Sequence, residues 1–159
     1  MPKLRELLSG AGMKNVRTYV QSGNVVVDSV KSPDRLARDC WKLIADELGL
    51  EIAVVARSSQ ELAEVVKLDP LGDVAENPKR YQVSFLDSEP DPEVIEKLSS
   101  LPLGEERFFA HGRELYAWHP DGVARSKLWG GLAAKNLGVD ATARNWTTVC
   151  TLLEMADEG

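Results

Sequence analysis

The hydrophobic positions of the chain recur at two spacings, and the switches between them set out the elements. Leu4, Leu7, Leu8 and Ala11 fall at i, i+3, i+4 and i+7, one face of a helix from Pro2 that Gly10 and Gly12 break. Val16 to Val20 and Val25 to Val27 are β-branched and aromatic runs around Gln21-Ser22-Gly23-Asn24, which predicts a hairpin. Ser32 before Pro33 reads as a cap and a first helical residue. The helix they open carries Leu36, Cys40, Leu43, Ile44 and Leu48 on one stripe and stops at Gly49. Glu51 to Ala56 reads as a short apolar strand. Ser58-Ser59-Gln60-Glu61 has the capping-box form, in which the Ser58 hydroxyl and the Glu61 carboxylate each satisfy a free backbone N–H.

Asp69 to Lys79, with Pro70, Gly72, Asn77 and Pro78, predicts a linker. Beyond it the pattern gives a strand (Tyr81 to Leu86), a helix from Asp91-Pro92, and a hairpin. The hairpin sets Arg107 to Ala110 against Glu114 to Trp118, turning at His111-Gly112-Arg113. A helix through Lys127, Leu128, Leu132 and Leu137, a short strand over Val139 to Ala143, and a final helix capped by Asn145 follow. The second half is thus β-α-β-β-α-β plus a helix, the split order of a ferredoxin-like unit. The first half reads as the same string without its first strand. Leu48-Gly49-Leu50-Glu51 matches Leu137-Gly138-Val139-Asp140, and Ala56-Arg57-Ser58 matches Ala143-Arg144-Asn145, which points to an internal repeat. The expected fold is α+β: two tandem ferredoxin-like units, 1–68 and 80–159, joined by 69–79, the first lacking its N-terminal strand. That strand would be central, so its loss leaves neighbours with unpaired backbone groups. Truncation, a strand from another chain, or a differently built unit are the alternatives.

Composition narrows the class. No run approaches the roughly 18 apolar residues of a membrane span. The two cysteines, Cys40 and Cys150, sit far apart, which excludes a disulfide framework or cysteine-rich zinc site and fits a cytoplasmic, reducing compartment. The net charge of −6 is uneven: residues 1–57 carry 9 Lys and Arg against 7 Asp and Glu, residues 58–120 carry 6 against 13, and residues 121–159 carry 4 against 5. An anion site therefore belongs in the flanks, although the acidic middle also suits a solvated face.

Three separated motifs, Arg17-Thr18-Tyr19-Val20-Gln21-Ser22-Gly23-Asn24-Val25-Val26, Asp121-Gly122-Val123-Ala124-Arg125-Ser126-Lys127-Leu128 and Ala141-Thr142-Ala143-Arg144-Asn145-Trp146-Thr147-Thr148-Val149, give the chain its resemblance to a known family. It resembles, over essentially its whole length, an uncharacterised bacterial family known only as domain of unknown function 1697. The resemblance implies a tandem ferredoxin-like α+β fold and a cytoplasmic location, and no activity. It also implies a strand and a glycine-bearing loop ahead of the first helix. Met1-Pro2-Lys3-Leu4-Arg5 looks like the start of that helix, so the expectation is an internal start or a truncation.

The same motifs hold the candidate chemistry, each beside a plainer structural reading. At the hairpin tip, Tyr19, Gln21, Ser22 and Asn24 offer hydrogen-bond donors and acceptors, or Gly23 and Asn24 serve only the turn. Arg125, Ser126 and Lys127 at a helix start suit a phosphate or carboxylate, or form a solvated first turn. Arg144, Asn145 and Trp146 offer a cation, a cap and a stacking ring, or a cap and a core tryptophan. His111 and His119 lack metal-ligand spacing, and Glu105-Glu106 suits a solvated surface. Neither a metal nor a cofactor is expected. The leading expectation is a binding module for an anionic or nucleotide-like ligand. The alternatives are a metal-independent enzyme on a small phosphorylated or nucleotide substrate, and an interaction module that recruits a partner at a sheet edge. Nucleic acid and oligomeric state stay open, and no membrane partner is expected.

Overall fold

A computed structural model describes residues 2–19, 24–102, 104–122, 126, 128, 129, 132 and 137–158. In chain order these form α1 (Pro2–Gly10), β1 (Lys14–Tyr19), β2 (Asn24–Asp28), α2 (Pro33–Leu48), α3 (Ser59–Leu68), β3 (Tyr81–Leu86), α4 (Pro92–Ser99), β4 (Arg107–His111), β5 (Glu114–Trp118), β6 (Ala141–Asn145) and α5 (Trp146–Glu158). The architecture is mixed α and β with two antiparallel sheets. One pairs β1 with β2, and the other has the order β4-β5-β3-β6. Most of the predicted helix through Lys127 to Leu137 lies outside the described residues, although Leu128, Trp129 and Leu137 are helical.

Local chemistry sets the helix ends. Ser32 caps α2 by accepting from the Arg35 N–H, and Gly49 closes it at φ 66°, a left-handed conformation that costs a side-chain-bearing residue more than glycine. At α3 the Ser58 hydroxyl accepts from the Glu61 N–H at 3.1 Å, and the Glu61 carboxylate accepts from the Ser58 N–H at 2.9 Å, the reciprocal box read from the sequence.

The four-stranded sheet carries the core. Along β3, Tyr81, Val83 and Phe85 face one layer and Leu86 the other, following the period of two. The first layer joins Tyr116, Trp118, Val65 of α3 and Val149 of α5. The second joins Leu98 of α4, Leu115, Leu128, Leu132 and Leu137. Neither cluster draws a described residue from 1–54. In that stretch only Leu8, Asn24 and Ile44 are buried among the described residues.

One expected strand is absent. Residues 51–58 pair with no strand, so the first half supplies two strands and not three. The reason lies in what the segment docks against. Val55 packs on the first core layer while Ile52 stays exposed, and Arg57 fixes the end of the segment with its side chain. Its guanidinium donates to Glu114 at 3.0 Å and to the carbonyls of Ala56, Leu86 and Arg113 at 2.9, 2.7 and 3.1 Å, while lying 5.6 Å from the centre of the Phe85 ring. The short apolar run is therefore a segment docked on the core without a ladder partner, which the sequence pattern does not separate from a strand. The hairpin turn is also tighter than expected: His111 is the last residue of β4, and Gly112-Arg113 alone make the turn, with Gly112 at φ 57°.

Candidate functional site

The first and third candidate motifs meet. The two strands of the small sheet open and close at Tyr19 and Asn24, and the Asn24 amide spans them by donating to the Tyr19 carbonyl at 3.2 Å. Asn24 is 5% exposed. Its carbonyl oxygen accepts from Arg144 Nε at 2.5 Å, across 120 residues of sequence. Arg144 stands on β6 opposite Val83, on the layer that holds α3 and α5, and a second guanidinium nitrogen donates to the Ala143 carbonyl at 2.8 Å. Burial pulls the Arg144 pKa below its ordinary value, because the charged form has lost part of its water. Asn24 positions that charge through its amide oxygen.

The neighbours of Arg144 have structural duties as well. Asn145 ends β6 and caps α5, its side-chain oxygen accepting from the Thr148 N–H at 2.9 Å. Trp146 stacks on Tyr81, ring centres 4.6 Å apart and 16° from parallel. Its ring is thus committed to the core layer, and the predicted exposed stacking surface is partly taken up. Gln21 and Ser22 lie outside the described residues.

Ser126 goes elsewhere. It lies beside the second core layer with two groups the sequence did not join to it. The Ser126 hydroxyl donates to Glu106 and accepts from the Trp129 N–H at 2.8 Å, so it caps the turn that starts at Leu128. His119 Nδ1 lies 2.9 Å from both Glu106 Oε2 and Ser126 Oγ. Burial pushes the Glu106 carboxyl up, but hydrogen bonds from Ser126 and His119 outweigh it and hold the group below the ordinary carboxylate range. The expectation of a solvated Glu106 is thereby corrected. Among the described residues the Trp129 N–H goes to Ser126 and the Leu128 N–H to Glu106. Arg125 and Lys127 lie outside the described residues.

Serine, histidine and glutamate in contact do not make a nucleophile here. A base must take the serine proton at one ring nitrogen while the acid holds the other. In this cluster both partners share Nδ1, and Nε2 is buried without a partner. His119 is 0% exposed, so no substrate reaches it in this conformation. Among the described residues no group of three His, Cys, Asp or Glu is placed to hold a metal ion. Cys40 and Cys150 are half-buried, and burial raises both thiol pKa values, which keeps them in the unreactive thiol form.

A cleft of about 590 Å³ opens at the other edge of the sheet, between α3 and the β4–β5 hairpin. It shares no residue with the three motifs. The sequence carried one unread signal for the Glu106–His119 contact. Glu106 precedes β4 and His119 follows β5, so pairing Arg107 with Trp118 brings them together.

Comparison with known proteins bears on the fold and on membership, and leaves the chemistry open. The conserved bacterial protein SP0830 from Streptococcus pneumoniae has a similar structure, with a TM-score of 0.74 at 20% identity, over 98% of this chain and 88% of that one. No curated protein matches the sequence. No helix among the described residues is long and apolar enough to cross a membrane. The family described as a protein of unknown function, DUF1697, matches residues 1–116, and the chain belongs to it.

Proposed function

We propose that the protein is a binding module for an anionic, nucleotide-like ligand, seated where the hairpin after Tyr19 meets Arg144. The hydrogen bond from Arg144 to Asn24 carries the reading, because it joins two polar motifs from opposite ends of the chain. We assign ligand contacts to Tyr19, Gln21, Ser22, Asn24, Arg144, Asn145 and Trp146, of which Gln21 and Ser22 lie outside the described residues. Ser126 stands apart from this site, in its cluster with Glu106 and His119. A guanidinium is the side chain whose planar fork best matches a phosphate or carboxylate.

The tandem reading supports the choice. We take 80–159 as one ferredoxin-like unit, since its strand order β6-β3-β5-β4 is the one a split βαββαβ string produces. The repeat is supported by two matched starts. Arg57 donates to Ala56 O and precedes the Ser58 cap, as Arg144 donates to Ala143 O and precedes the Asn145 cap. Each arginine also has a long-range anchor, Glu114 for Arg57 and Asn24 for Arg144.

A melting screen against phosphate-bearing metabolites tests the site, because a ligand bound at a hundred times its Kd stabilises by about 2.7 kcal/mol. The wild type is expected to shift upward with at least one compound. Asn24→Asp keeps the hydrogen bond to Arg144 but supplies an internal anion, and should abolish that shift. A panel that shifts nothing overturns the reading, as does an undiminished shift in the variant.

A further inference from the structure

We propose that β4 is a docking edge for an extended peptide with basic side chains, a surface separate from the Arg144 site. Among the described residues β4 is the outermost strand of its sheet and pairs only with β5. The two-residue turn at Gly112-Arg113, with Gly112 at φ 57°, makes His111 and Glu114 a hydrogen-bonded pair. Alternation along an antiparallel ladder then assigns the bonds of Phe109 and Arg107 to β5 and turns the N–H and C=O groups of Phe108 and Ala110 outward. An open row of this kind is a template for another strand. At its centre Phe109 is 41% exposed, its ring edge-on to Tyr116 at 6.5 Å. No proline or lysine interrupts Arg107-Phe108-Phe109-Ala110-His111.

The chemistry of the occupant follows from the cleft that meets this edge at His111, the last residue of β4. Its floor is Val65, Leu68 and Tyr116, and its walls carry four carboxylates against Lys67 and Arg113. Two of the four are committed, Glu61 to Arg113 at 3.2 Å and Glu114 to Arg57 at 3.0 Å. Among the described residues Glu64 and Glu89 make no ion pair, and with Lys67 beside them they leave the cleft a net negative charge. A lysine or arginine from an added strand lays its aliphatic stem on the apolar floor and its charge against these two carboxylates. Strand addition supplies the affinity through the backbone, and the cleft supplies the preference for a basic side chain.

Fluorescence anisotropy of the full chain with a labelled heptapeptide of alternating lysine and valine tests this. Binding that falls with added salt and exceeds that of the glutamate-valine counterpart by about tenfold is expected. Ala110→Pro removes only an outward N–H, so it should keep the melting temperature and lose most of the affinity. N-methylation of alternate peptide amides should do the same from the other side, whatever the variant does to folding. Glu64→Gln with Glu89→Gln should erase the preference for lysine over glutamate. Equal affinity for the acidic peptide overturns the proposal. Undiminished binding of the methylated peptide, or a matching response to cadaverine alone, would assign the cleft to small amines and overturn strand addition. Self-association of the chain without peptide binding would overturn it too.

Discussion

Glu106, His119 and Ser126 show how far one hairpin register reaches. Once Arg107 faces Trp118, the residue before β4 and the residue after β5 are neighbours, and the helical turn at Leu128 closes over both. The acid is held in its charged form, so the contribution can be read by pH. The folded pKa of Glu106 lies below 4.5, its unperturbed value, so the stabilisation is present above that value and is lost as pH falls through the lowered one. Glu106→Gln should cost about 1–2 kcal/mol near neutral pH. The gap in melting temperature between wild type and variant should close as the buffer drops below about pH 4. A gap that widens in acid would contradict the assignment. Tyr116 offers a neutral comparison. Its hydroxyl donates to the Val65 carbonyl at 2.9 Å in the interior, and Tyr116→Phe should cost about 1 kcal/mol with no pH dependence below its phenol range, measured by urea denaturation.

At the scale of elements, the sequence was most informative where chemistry is local. Ser32-Pro33 and Gly49 bracket α2, and Ser58 with Glu61 opens α3, because a cap is settled within four residues. Ser58→Ala should therefore destabilise by about 1 kcal/mol, and Gly49→Ala by a similar amount through its positive φ, both read in denaturant midpoints. The run from Glu51 to Ala56 was misread for the complementary reason. Whether an apolar extended segment becomes a strand depends on a free ladder beside it, and that partner is decided by tertiary packing. The Asn24–Arg144 contact was equally illegible. Each motif was visible as a polar cluster, but nothing within either one reports that Asn24 of β2 reaches Arg144 of β6.

The whole molecule is uneven in its burial. Both core layers are built from residues beyond 54, while α1, β1, β2 and α2 contribute three buried described residues between them. Stability should follow that distribution. Amide exchange is expected to be slowest in β3 and β5 and faster, by at least about tenfold, in β1, β2 and α2, since local opening there exposes little apolar surface. Uniform protection across the chain would contradict the described packing. The placement of α3 has another consequence. It precedes the 69–79 segment in sequence, yet Val65 is buried with Tyr81, Val83 and Val149, and Leu71 and Ala75 pack on the same layer. Nicking the backbone near Asp73 would leave two pieces, each owning part of one interior. Such pieces should be unstructured apart and regain ordered tryptophan emission on mixing, which would make the protein a natural candidate for a split reporter assembled by complementation.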